Sequence, residues 1–173
     1  TVFEIPDDVI VVGGGLASID VVKIVNLELY ARALRARGIE VDIVEMEIKG
    51  IPRTLEAHGL TEEELGVKGC TLYYRRRMKD MPLASADAPT PDQLAKLEGA
   101  RVKIMDRVIR KYFVKFEELA LPVQAIVEGE RLAGVRFQRT EAVDGRVRAL
   151  EGTEFDVHAS MVISSIGSIP KPI

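Results

Sequence analysis

Residues Val9 to Asp20 read Val-Ile-Val-Val-Gly-Gly-Gly-Leu-Ala-Ser-Ile-Asp, an apolar run of strand length that passes through three glycines into a segment of helical periodicity. Four consecutive β-branched residues suit a strand buried on both faces, as in a parallel sheet. Gly13 and Gly15 allow a tight turn and a close backbone approach, and the N–H groups that open the following helix form a ready anion site. Together these features describe a cradle for a dinucleotide pyrophosphate, built from Gly13, Gly14, Gly15, Leu16, Ala17 and Ser18. Ser18 stands where the fingerprint has its third glycine, and so small a residue still lets helix and sheet pack closely.

The periodicity of Ile19, Val22, Asn26, Leu29 and Ala33 predicts a first helix ending near Gly38, with Arg32, Arg35 and Arg37 toward its C-terminus. Ile39 to Gly69 is ambiguous, since Ile39, Val41 and Ile43 alternate like a strand whereas Val41, Val44 and Ile48 sit at helical spacing. Pro52 before good helix formers and the capping box Thr61-Glu-Glu-Glu64 favour a small helical insertion over 39–69. Cys70 to Tyr74 reads as a strand running into Arg75-Arg76-Arg77. Thr90, Pro91 and Gln93 signal a helix start, and helical residues are expected to about Glu118, with a break at Gly99. From Leu121 the period becomes two. Segments Val123–Val127, Leu132–Arg139 and Val147–Leu150, separated by Glu128-Gly-Glu-Arg131 and Asp144-Gly145, predict an antiparallel meander over about 121–158. Met161 to Ser165 is a last apolar strand. The fold class expected is α/β, a Rossmann-like parallel sheet with flanking helices, the meander and the insertion.

The composition, 47% hydrophobic and 29% charged, fits a globular core, and a net charge of −3 provides no general basic field for nucleic acid or an anionic membrane. No apolar run approaches the ~20 residues of a membrane span. The start at Thr1, close to the first strand, carries no signal peptide and suggests a piece of a longer chain. A lone Cys70 excludes an internal disulfide or a Cys-x-x-Cys pair and suits a reducing cytoplasm. His58 and His158 join no triad and no metal constellation, and no residue reads as a catalytic acid, base or nucleophile.

In a nucleotide fold of this kind the end of the second strand meets the adenosine ribose. An acid there accepts from the 2′-hydroxyl of NAD, and arginine accommodates the 2′-phosphate of NADP. If the second strand is Cys70 to Tyr74, Arg75 and Arg76 face the phosphate; if it is Ile39 to Val44, Glu45 reads the ribose. Both lie farther from the glycines than the roughly 20 residues usually seen.

The order of these pieces resembles the pyridine-nucleotide-binding domain of two-dinucleotide flavoproteins. The branch in question holds the glutamate synthase small subunit, dihydropyrimidine dehydrogenase and adrenodoxin-reductase-like enzymes. The resemblance is carried by Val11 to Gly15 with Asp20, by Leu72 to Arg76 with Met81-Pro82, by the meander, and by Ser165-Ile166-Gly167. It covers Val9 to Ala84 apart from the insertion, and Leu121 to Pro170. The resemblance implies an NADP site at Arg75 and Arg76, with Asp20, Ile166 and Gly167 in the cofactor-binding set. It also implies an FAD held by a flavin-binding domain of the parent chain, an iron–sulfur partner, and hydride transfer performed by the cofactors themselves. Leu16 and Ala17 replace the asparagine and small hydroxyl residue frequent in the family, Ser160 stands where an aspartate is common, and the flavin half is missing. A nucleotide-binding, redox-responsive interaction module docking through the insertion is the alternative from another class; a methyltransferase would leave the Tyr-Arg-Arg strand and closing turn as coincidence.

Overall fold

A computed structural model describes residues 4–165. The apolar run forms β1 (Val9–Val12), and the glycines lead into α1 (Leu16–Ala36). The expected insertion is helical: α2 (Ile43–Lys49), α3 (Ile51–Ala57) and α4 (Glu62–Leu65) follow one another before β2 (Cys70–Tyr73). Asp42 caps α2 through the Val44 N–H, and Thr61 caps α4 through the Glu64 N–H. After a single 3-10 turn at Met78–Asp80 comes α5 (Pro91–Tyr112), opened by the reciprocal box between Thr90 and Gln93.

The remaining elements are strands: β3 (Lys115–Glu117), β4 (Ala120–Glu128), β5 (Arg131–Val143), β6 (Arg146–Ala149), β7 (Phe155–His158) and β8 (Met161–Ser164). One sheet is parallel with order β3-β2-β1-β8, in which Val9 pairs with both Cys70 and Met161. The other is antiparallel and built on the long β5, which pairs with β4, then with β7 over Gly134–Phe137 and with β6 over Thr140–Val143.

The layering follows from the pleat of β1, whose successive side chains point to opposite faces. Val9 and Val11 join Leu72 beneath Val22, Tyr30 and Leu34 of α1 and Met105 of α5. Ile10 and Val12 face the antiparallel sheet, where Tyr73 stacks on Phe137 at 4.3 Å between ring centroids. Helices, parallel sheet and antiparallel sheet therefore make three layers, and β1 is sealed on both sides as four β-branched residues require.

Two expectations about α5 are corrected. The helix passes through Gly99 without a break, because that position is exposed and a single glycine costs only about 1 kcal/mol in a helix this long. It also ends at Tyr112 rather than near Glu118. Phe113 adopts φ 54°, and buried Val114 and half-buried Phe116 turn inward so that Lys115–Glu117 pairs with β2 as a third parallel strand. Asn26, fully buried, holds this end in place. Its Nδ2 donates to the Tyr112 carbonyl at 2.8 Å and its Oδ1 accepts from the Cys70 N–H at 3.0 Å, tying α1 to α5 and β2. β7 was not anticipated as a separate strand within the 121–158 region.

Candidate functional site

The three consecutive glycines do three different things. A Cβ on Gly13 would lie 2.2 Å from Ser18 Oγ and 2.3 Å from Ser165 Oγ, so this glycine leaves room for a hydroxyl pair. Those hydroxyls are 2.6 Å apart, and Ser165 Oγ also donates to the Val12 carbonyl at 3.1 Å. Ser18, at the third fingerprint position, thus pins the first turn of α1 to the end of β8. On Gly14 a Cβ would lie 2.2 Å from Cε2 of Tyr74, whose ring occupies the space a side chain would need. Gly15 alone faces open space, with nothing within 4 Å of its would-be Cβ.

Gly15 is also the N-cap of α1, and no side chain caps that end. The first N–H groups of a helix have no intrahelical partner. At α1 they belong to Leu16 and Ala17, whose side chains are exposed, and they are available to an anion at the positive end of the helix dipole. Asp20 lies on the exposed face of α1 in its second turn, away from the N-terminal N–H groups.

Across from the glycines stands the end of β2. It is the second parallel strand in chain order, as the arginine alternative requires, whereas Glu45 sits on α2 in an ion pair with Lys49 at 2.9 Å. The backbone after β2 is held from several directions: the Tyr74 N–H donates to the Glu117 carbonyl, Ala120 N–H to the Tyr74 carbonyl, and the buried Thr140 hydroxyl to the Arg75 carbonyl at 2.6 Å. The arginine triplet then separates. Arg75 is exposed and lines the cleft over the glycines. Arg76 donates from Nη2 to the Gly145 carbonyl of the β5–β6 turn at 3.1 Å, with its Nε buried and unpartnered among the described residues. Arg77 grips Asp80 with two hydrogen bonds, at 2.8 and 3.1 Å. Burial would raise the Asp80 carboxyl, but these bonds outweigh it and hold the group below its ordinary value.

The resulting cleft has a volume of about 480 Å³, within the range of small-molecule sites. Its walls are Gly13, Gly14 and Gly15, Tyr73 and Tyr74, Pro82 of the Met81-Pro82 pair, and, unforeseen from the sequence, Leu121 and Pro122. Among the described residues lining it, Arg75 alone is charged. Burial pushes the Tyr73 and Tyr74 phenols above their ordinary range, so both are neutral at physiological pH. Sequence periodicity could not have found Leu121 and Pro122, which enter only because β4 starts beside the end of β2. The expected site residues Ile166 and Gly167 lie outside the described residues.

Solved structures with the same fold are known. FprA of Mycobacterium tuberculosis in complex with NADPH superposes with a TM-score of 0.50 at 17% identity, over 95% of this chain and 40% of that one. A point mutant of the same protein gives 0.50 at 18% identity with the same coverage. What is shared is the fold, a Rossmann-like parallel sheet with flanking helices and an antiparallel sheet. The chain spans about two fifths of the length of these structures. No family model matches the sequence, and no curated protein matches it by sequence.

Cys70 is buried, and burial pushes its thiol up to about 12, which fits a packing role. His58 caps the C-terminus of α3, and His158 on β7 lies 3.8 Å from Glu128. Among the described residues no cluster of three or more potential metal ligands exists, and no helix is long and apolar enough to cross a membrane.

Proposed function

We propose that this chain is the NADP(H)-binding domain of an FAD-dependent oxidoreductase, with the flavin held by another part of a longer parent chain. One observation carries the reading: the side-chain-free Gly15 at the uncapped start of α1 and the exposed Arg75 after β2 line the same cleft. That spacing of functions, backbone donors for a pyrophosphate and a guanidinium for a ribose phosphate, is what an NADP needs in a strand-helix-strand fold. The donor set fits the group. The likeness of fold to FprA, a protein solved with NADPH, supports the reading.

When bound, the nicotinamide would supply the chemistry, hydride transfer to or from the flavin. This chain's residues bind and orient. Leu16 and Ala17 offer backbone N–H groups to the pyrophosphate, Arg75 selects the 2′-phosphate, and the Tyr73, Leu121 and Pro122 side of the cleft offers apolar surface that excludes water. In this reading Ile166 and Gly167 belong to the cofactor-binding set. An iron–sulfur electron-transfer partner and a cytoplasmic setting belong to the same proposal, the latter supported by the solitary buried thiol.

The test is calorimetric titration of the purified chain with NADPH and NADH, alongside its visible spectrum. NADPH is expected to bind at least about tenfold more tightly than NADH, which corresponds to about 1.4 kcal/mol. The preparation should be colourless and without diaphorase activity. Failure to bind either nucleotide, or stoichiometric flavin in the purified chain, would overturn the assignment.

A further inference from the structure

A second cleft lies on the helical side of the molecule, between the α2–α3 junction and the C-terminal half of α5, and none of its residues belongs to the glycine site. Its volume is about 580 Å³, and its lining carries six cations against one carboxylate, Asp106, in a chain whose net charge is −3. Two of the cations are compensated, Lys49 by Glu45 at 2.9 Å and Arg110 by Asp106 at 3.5 Å. Arg53, Lys103, Arg107 and Lys111 have no carboxylate within ion-pair distance among the described residues. Lys103, Arg107 and Arg110 follow one another at helical spacing along α5, so they share one face and turn it toward Arg53.

The geometry is concave by construction. Gly50 adopts φ +92°, and a Cβ there would lie 2.8 Å from Lys111 Cγ and 3.2 Å from the Lys111 carbonyl, so glycine lets α5 close against the α2–α3 junction. Exposed Ile48, 72% accessible, and Pro52 add apolar surface to the same wall. Four like charges brought together without counter-ions repel one another, and a concave wall concentrates their field on whatever enters. An anion with several charges on neighbouring atoms relieves that repulsion, and forked guanidinium groups suit phosphate oxygens.

We propose that this cleft binds a small ligand carrying two or more adjacent phosphate groups, at a site separate from the glycine cleft. The phosphates sit among Arg53, Lys103, Arg107 and Lys111, and any organic portion lies against Ile48 and Pro52. The cleft is concave, and its volume of about 580 Å³ is that of a small-molecule site, which favours such a ligand over the flat surface of an acidic protein.

The probes are inorganic triphosphate and ATP, titrated calorimetrically into the full chain at physiological salt. Both should bind one per chain and compete with each other. Tighter binding of ATP would identify a nucleotide as the source, and equal binding a phosphate chain alone. The triple variant Arg53→Gln, Lys103→Gln, Arg107→Gln should weaken both by at least about tenfold and leave NADPH affinity within a few-fold. Arg107→Glu is a second, single change at an exposed position and should weaken triphosphate in the same direction. Arg75→Ala and Gly15→Val, in the glycine cleft, should leave triphosphate binding unchanged, so this site stands or falls independently of the nucleotide assignment. Absence of triphosphate and ATP binding up to about 1 mM, equal binding by the triple variant, loss of binding with Gly15→Val, or capture of poly-glutamate alone would overturn the proposal.

Discussion

The separation of Arg75 from Arg76 gives the sharpest test of the nucleotide site. Adjacent arginines at the end of a second strand read from sequence as one phosphate-binding pair, yet Arg75 lines the glycine cleft while Arg76 is turned to the Gly145 carbonyl. A hydrogen bond to a charged group contributes about 1.5–3 kcal/mol, and the exposure of Arg75 reduces this to about 1–2 kcal/mol through solvent screening. Arg75→Ala is therefore expected to raise the Kd for NADPH about 5- to 30-fold, to leave that for NADH within a few-fold, and to flatten the salt dependence of NADPH binding. Arg76→Ala removes a contact to the β5–β6 turn and should lower stability by about 1 kcal/mol, with NADPH affinity within about threefold. The assay is calorimetric titration of both single variants with both nucleotides at two salt concentrations. If Arg76→Ala weakens NADPH as strongly as Arg75→Ala, the hairpin contact is not what Arg76 does when nucleotide is bound. If neither change matters while Glu45→Ala weakens NADH, the ribose lies elsewhere and the cleft has been misassigned.

Other consequences follow from individual contacts. Gly15→Val fits an extended backbone with nothing near its Cβ, so thermal stability should be unchanged while NADPH affinity drops by at least about tenfold; Gly14→Ala collides with the Tyr74 ring and should instead lower Tm. Equal effects of the two on binding and Tm would contradict the division of labour among the glycines. Asn26→Leu strands the Cys70 N–H and the Tyr112 carbonyl, at about 1–3 kcal/mol each, and a shift in Tm smaller than about 4 °C would show that Asn26 is not the tie described. Asp80, held below its ordinary pKa by Arg77, contributes stability that is present above about pH 4 and is lost as pH falls through the depressed value. Asp80→Asn should thus be less stable at pH 7 by about 1–2 kcal/mol and converge with the parent in acid, as followed by urea melts across pH. Cys70, raised to about 12 by burial, favours the fold fully below the ordinary thiol value and loses that contribution only as pH rises toward 12. At pH 8 an alkylating reagent should react with it only after denaturant is added, and rapid labelling of the native chain would refute its burial.

By itself the sequence determined what depends on neighbours along the chain. Four β-branched residues before three glycines could only be a buried strand entering a tight turn, and the boxes at Thr61 and Thr90 marked helix starts that the structure keeps. Asp144-Gly145 set the β5–β6 turn, with both residues at positive φ. The end of α5 was beyond that reach, because helical propensity continues past Tyr112 and the stop is made by Asn26, 86 positions away, accepting the role of cap for its carbonyl. The pairing of Lys115–Glu117 with β2 is equally long-range, since three residues carry too little periodicity to announce a strand. The site divides along the same line. The glycine turn is local chemistry and was legible; the separation of Arg75 from Arg76 is not, because Gly145, 69 positions from Arg76, reaches it only in the folded chain, whereas Arg77 is turned by its near neighbour Asp80. The basic cleft is likewise a product of tertiary structure. Arg53 and Arg107 lie on helices whose cations look like ordinary solvated faces until Gly50 lets those helices close on one another.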